Sequence, residues 1–200
     1  YDGECFDKRI EKREWDDPDA DCEQYADAVC VSAPGGRLVR NEAPDIKVCK
    51  VNEPVHVYRL SDTVYTYDFG KNCTGWVQIT VQGKAGDCVS ITTAEQIFDD
   101  FSINTETNRQ ALNTDTYIIG SSNEETYEPG FTYHGFRYAQ ITLSAANVAL
   151  KSVKQCHVHS AVERIGSFVC DNPDIQKIHE ACVLTEENAL LGLSLDCTQR

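Results

Sequence analysis

Apolar and polar residues alternate most strictly at Val77, Ile79 and Val81, which are separated by Gln78, Thr80 and Gln82. A period of two sends one set of side chains inward and the other to water, so this stretch predicts a half-buried strand. Val89 and Ile91 resume the pattern after the polar connection Gly83-Lys-Ala-Gly-Asp87, and the two runs are expected to form a hairpin. Residues 46–57 alternate loosely and 64–69 more clearly. Both read as strands, the second ending in a turn over 70–75 that feeds Trp76. Residues 98–112 are rich in Asn and Thr and predict an extended loop.

Residues 115–141 organise the rest. They place two short β-branched or aromatic runs, 117–119 and 138–141, on either side of a Pro129-Gly130 break, which predicts a buried strand pair with a sharp connection. Gly135 sits between His134 and Phe136, where a side chain would block a neighbouring backbone. Residues 149–162 add a strand on which Val153, His157 and His159 share one face. The pattern then changes. Asn172 followed by Pro173 is a helix start, with Asn as cap and Pro where no N–H is required. Ile175, Ile178, Cys182, Ala189 and Leu193 fall on one stripe of the predicted helix, and too little chain follows to cover that stripe.

Composition narrows the class. Two hundred residues with 41% hydrophobic content can build a β core, while a formal charge of −14 argues against nucleic acid or an anionic membrane as partner. No apolar run approaches the roughly 20 residues of a membrane span. The chain opens on Tyr1 and contains no Met, so an upstream segment is expected to be missing. The compartment therefore stays open, with a lean towards cytoplasmic. Ten cysteines without a Cys-x-x-Cys pair argue against a zinc ribbon or a redox motif and fit buried free thiols as well as disulfides.

Candidate chemistry is sparse. Residues 1–27 carry eleven Asp or Glu against four Lys or Arg and read as a solvated loop around Trp15, with Tyr25 as a second anchor and without the spacing of a calcium loop. His157-x-His159 places two imidazoles on one face of a strand, but no third ligand is suggested nearby, so no metal or cofactor is expected. Glu124 and Glu125, adjacent on a strand, point to opposite faces and are expected to be solvated rather than a facing acid and base; Glu128 is expected to be solvated as well. No nucleophile elbow or phosphate loop occurs. Asn72-Cys73-Thr74 satisfies the glycosylation sequon and is expected to be unused.

Three blocks stand in a fixed order: Tyr67-Asp-Phe-Gly-Lys-Asn-Cys-Thr-Gly-Trp76, Tyr127-Glu-Pro-Gly-Phe-Thr-Tyr-His-Gly-Phe-Arg-Tyr138 and Asp196-Cys-Thr-Gln-Arg200. Together they resemble bacterial α-L-rhamnosidases of glycoside hydrolase family 78. Thr198 stands where that family usually has Pro, and Cys73-Thr74 replaces its common Phe-Ala. The resemblance implies a mainly β fold, an antiparallel β-sandwich of jelly-roll or concanavalin-like type. That sandwich would be preceded by the tail of another β-sandwich and followed by the first helix of an (α/α)6 barrel. The implied divisions are 1–43, 44–162 and 163–200.

The same resemblance implies a fragment of an inverting glycosidase that hydrolyses terminal α-L-rhamnose from glycosides or polysaccharides, with one carboxylic acid protonating the leaving oxygen and one carboxylate activating water. The acid would follow the position of Arg200 by two residues and the base would lie further on, so no catalytic residue is expected within the chain. Asp196 and Arg200 match positions that hydrogen-bond the rhamnose hydroxyls, a task suited to a two-oxygen acceptor and a planar donor fork. The competing reading is a non-catalytic carbohydrate-binding or scaffolding sandwich in which Trp76, Tyr133 and Phe136 form a sugar platform. Oligomeric state is not expected to be legible from either reading.

Overall fold

The computed structural model describes residues 2–11, 18–19 and 26–198. Trp15, Tyr25 and part of the acidic opening lie outside the described residues, as does Arg200. Residues 26–45 run without regular secondary structure and are exposed throughout.

The fold is built on one strand. Strand β4 (Val64–Gln82) follows β1 (Cys5–Asp7), β2 (Ile46–Asn52) and β3 (His56–Arg59), and it runs for 19 residues without the expected turn. Gly70 and Gly75, at φ of 78° and 149°, bend the strand instead of ending it, because neither has a Cβ to clash in that backbone region. Gly75 is also forced by contact: a Cβ there would stand 1.9 Å from the carbonyl oxygen of Cys156. The first half of β4 pairs with β3 on one edge and β10 (His134–Leu143) on the other, and the second half pairs with β9 (Glu124–Tyr127) and β11 (Ala149–Ser160). One strand thus belongs to both layers of the sandwich.

Beyond β10, the first layer continues through β5 (Cys88–Ala94) and β8 (Thr114–Ile118) to β1, and the second layer ends in β2 outside β11. Two expected pairings are therefore not made. β4 and β5 do not form a hairpin: both edges of the second half of β4 are taken, so residues 83–87 carry the chain across to the opposite layer. The two runs of the 115–141 block also do not pair with each other, since β5 lies between β8 and β10. β1 adds to β8 in parallel, an exception in an otherwise antiparallel sheet.

The inward faces bury Val77, Ile79 and Val81 from one layer against Val89, Ile91, Tyr117 and Ile141 from the other, all essentially solvent-free. Burial of this kind contributes about 25 cal/mol per Å² of apolar surface and dominates the stability. Tyr117 and Tyr127 stack at 4.7 Å between ring centroids, and Phe6 closes that end of the core. The nominal loop 98–112 contains β7 (Ile103–Asn104), paired with β6 (Gln96–Ile97) just before it, and a 3₁₀ turn at Glu106–Asn108.

Helix α1 (Pro173–Ala189) starts where expected: the Asn172 side chain accepts from the backbone N–H groups of Asp174 and Ile175. It stops earlier than the apolar stripe suggested. Leu193 lies outside it, in a two-strand ribbon of β12 (Leu190–Leu191) and β13 (Leu193–Ser194) turned by Gly192 at φ 77°. Ile175 and Ile178 remain 47% and 63% exposed, as a helix awaiting a partner would leave them.

Candidate functional site

The end of α1 is locked to β4 by Asn188. Its Oδ1 accepts from the backbone N–H of Thr74 at 3.0 Å, its Nδ2 donates to the carbonyl of Asn72 at 2.9 Å, and the Thr74 hydroxyl donates to its carbonyl at 2.8 Å. From there the chain folds back through β12 and β13, where Gly192 N–H donates to the Ser160 hydroxyl and Leu195 N–H to the carbonyl of Ala189. Residues 196–198 then cross the surface over Gly135. A Cβ at Gly135 would meet Thr198 at 2.3 Å from its hydroxyl and 2.8 Å from its carbonyl oxygen, the close approach that the sequence pattern anticipated.

This path makes a depression of about 330 Å³ between helix end, returning chain and sheet, lined by Asn72, Glu95, Asn188 and Asp196 among others. Asp196 is exposed on it. Glu95 follows β5 directly and accepts from Asn72 Nδ2 at 2.7 Å, leaving a second carboxylate oxygen for the depression. The arrangement presents two carboxylates and amide groups at one concave edge, an acceptor-rich surface suited to hydroxyl donors. Of the two residues expected to bind sugar, the structure brings Asp196 to this edge, and Arg200 falls outside the described residues. Sequence reasoning missed Glu95 and Asn188. Nothing local marks either one, because β-register and the helix end bring them in. The same Asn72–Glu95 bond occupies the amide of the sequon.

Elsewhere the acids are structural. Glu125 is half-buried rather than solvated: it accepts from Tyr117 Oη at 2.7 Å, Gly120 N–H at 3.0 Å and Ser121 Oγ at 2.7 Å. Burial pushes its carboxyl up, and these donors more than offset that and hold it below the usual range. Glu124 stays exposed, as alternation requires, and exposed Glu128 accepts from Trp76 Nε1 at 3.1 Å and Gln78 Nε2 at 3.0 Å. His134 and Asp115 face each other at 3.1 Å, each side chain 1% exposed, too sealed to meet a substrate. Phe136 is fully buried against Phe69, so the aromatic platform of the binding-module reading lacks one of its three members.

One group of potential metal ligands comes together among the described residues: His157 and His159 on β11, with Glu187 from the last turn of α1.

A concanavalin-like β-sandwich feeding a helix defines the class, and comparison with known proteins makes it specific. The sequence model of the bacterial α-L-rhamnosidase concanavalin-like domain matches residues 58–159. The chain belongs to that family. A solved α-L-rhamnosidase from Dictyoglumus thermophilum superposes with a TM-score of 0.93 at 39% identity, covering 100% of this chain and 23% of that one. The Streptomyces avermitilis α-L-rhamnosidase, solved in complex with L-rhamnose, gives a TM-score of 0.73 at 30% identity over 79% of this chain and 15% of that one. The α-L-rhamnosidase of Formosa agariphila is 28% identical over 100% of this chain. The chain spans about a fifth of the curated relatives it matches, 22% of the Formosa protein and 19% of the Streptomyces one.

Proposed function

We propose that this chain is the sandwich and first barrel helix of an inverting α-L-rhamnosidase that releases terminal L-rhamnose from glycosides or polysaccharides. Residues 44–162 would form this sandwich, with β1 at residues 5–7 adding an edge strand to it, the rest of 1–43 would link it to a preceding sandwich, and 163–200 would begin the catalytic barrel. Family membership supports the reading. The observation that carries it is the path of residues 196–198, pinned over Gly135 so that Asp196 faces the Asn72–Glu95 edge.

In this reading Asp196 accepts from two adjacent rhamnose hydroxyls and Arg200 donates to them in a planar fork, which fixes the ring for in-line attack. The acid that protonates the leaving oxygen and the carboxylate that activates water would come from chain beyond Arg200, so the 200 residues alone bind and position without cleaving.

Hydrolysis of p-nitrophenyl α-L-rhamnopyranoside by this chain and by the encoded full-length protein tests the reading. Activity in the longer protein alone, reduced by Asp196→Asn chiefly through KM, is expected. Activity in neither would overturn it in favour of a binding module, and activity in the 200 residues would overturn the assignment of acid and base.

A further inference from the structure

We propose that His157, His159 and Glu187 form a binding site for a borderline divalent transition metal of the zinc type, which staples helix α1 to the sandwich. The first ground is convergence. His157 and His159 share one face of β11 with ring centroids 4.8 Å apart, and Glu187 arrives from a different element, the last turn of α1. One ligand atom from each of the three lies within 4.8 Å of the others. Metal–ligand bonds of about 2.0–2.2 Å in a tetrahedron set ligand atoms about 3.4 Å apart, so the widest pair has to close by roughly 1.4 Å. Glu187 has the freedom to do so, its side chain being 31% exposed while the two histidines are held in the sheet.

The second ground is an unanswered nitrogen. His157 is 2% exposed and its Nε2 has no hydrogen-bond partner, a condition that buried polar atoms rarely tolerate unless an ion or water answers it. His159 is already arranged as a ligand. Its Nδ1 lies 2.9 Å from the carbonyl of Ser160, which can only accept, so Nδ1 carries the proton and in the neutral ring Nε2 is the atom left with a lone pair.

Two imidazoles and one carboxylate form a nitrogen-rich set that suits zinc, cobalt or nickel and not calcium or magnesium, which take oxygen. Three protein ligands leave one position for water. Charge agrees, since the site offers one formal negative group and the Arg164 guanidinium is 3.8 Å from it, too far for a strong competing bond. A metal here would fix Glu187, whose neighbour Asn188 holds Thr74 and Asn72, and so would fix the junction from which the Asp196 segment hangs.

The test uses the encoded full-length protein stripped with EDTA, then titrated with Co²⁺ and Zn²⁺ by equilibrium dialysis and visible absorption. One equivalent of Co²⁺ should give weak d–d bands without the intense thiolate charge-transfer band that binding at cysteine produces. Zn²⁺ should raise Tm over the EDTA sample, and Ca²⁺ should not. Glu187→Gln, at the half-exposed ligand, and His159→Gln should each weaken Co²⁺ binding at least tenfold and abolish the Zn²⁺ shift. Near-UV circular dichroism checks that each variant is folded, and Glu187→Gln decides if His159→Gln is not. No stoichiometric binding, a thiolate band, or binding unchanged in Glu187→Gln would overturn the proposal. None of these readouts depends on rhamnoside hydrolysis.

Discussion

Thr74 and Asn188 bond each other twice, main chain to side chain and side chain to main chain, at 3.0 and 2.8 Å, with both residues buried. Through this pair the end of α1 is joined to the middle of β4. Asn188→Ala removes the partner of the Thr74 N–H and of the Asn72 carbonyl. The expected cost is about 2–4 kcal/mol of unfolding free energy, about 1–3 for the buried Thr74 N–H left without a partner and about 1 for the half-buried Asn72 carbonyl. Urea unfolding monitored by tryptophan fluorescence measures it. An exposed helix position such as Glu180→Ala should stay within about 0.5 kcal/mol.

Two glycines should fail differently. Gly75→Ala drives a Cβ into the backbone of Cys156 at 1.9 Å and forbids the φ of 149°, so soluble folded protein should be lost. Gly135→Ala meets first the crossing segment at Thr198, which can lift away. Its Tm should change little, while limited proteolysis after Ser194 should quicken and rhamnoside hydrolysis by the full-length protein should fall. Equal loss of Tm in both variants would show that the crossing segment is as integral as the sheet.

Asp68 and Arg137 predict an acid limb of stability. Arg137 donates to both oxygens of the Asp68 carboxylate at 2.8 Å, and together with the Gly70 N–H at 2.7 Å it holds that carboxyl below its ordinary value despite burial. A depressed carboxyl contributes stability that is fully present above the unfolded value of about 3.9 and is lost as pH falls through the folded one. Asp68→Asn should therefore lower the urea midpoint at neutral pH and flatten its fall below about pH 4. Arg137 is 40% exposed, so added salt should shrink the difference.

The thiols should divide by depth. Burial raises Cys73 and Cys156 to about 11, so little thiolate forms at neutral pH. Iodoacetamide followed by mass spectrometry should label the exposed Cys5, Cys30, Cys49 and Cys182 first and leave Cys73 and Cys156 unmodified until denaturant is added. All nine described cysteines are free.

Faces were legible in the sequence and neighbours were not. The alternation at Val77, Ile79 and Val81 gave the buried side correctly, since period two follows from backbone geometry alone. The same alternation says nothing about which strand lies alongside, and the five-residue connection 83–87 fits an arch between layers as well as a hairpin. Gly70 and Gly75 mimic a turn because the residue that ends a strand is also the residue that bends one. The site followed the same rule. Asp196 was singled out through its motif, whereas Glu95, Asn188 and Glu187 reach their places by register and by where a helix stops, which no local composition encodes.

Because β4 is common to both layers, it sets their alignment as a single ruler would. A slip of one residue on β10 would turn the side chains of the first half to the wrong face, and the error would reach the second half and its pairing with β11 unless Gly70 or Gly75 took up the difference. Misregistered chains are therefore wrong on two surfaces at once and are far less stable than the native alignment. By the same logic an added residue inside β4 is felt across the whole sandwich, while one added at the exposed tip 84–86 disturbs chiefly the local bonds to Ile119.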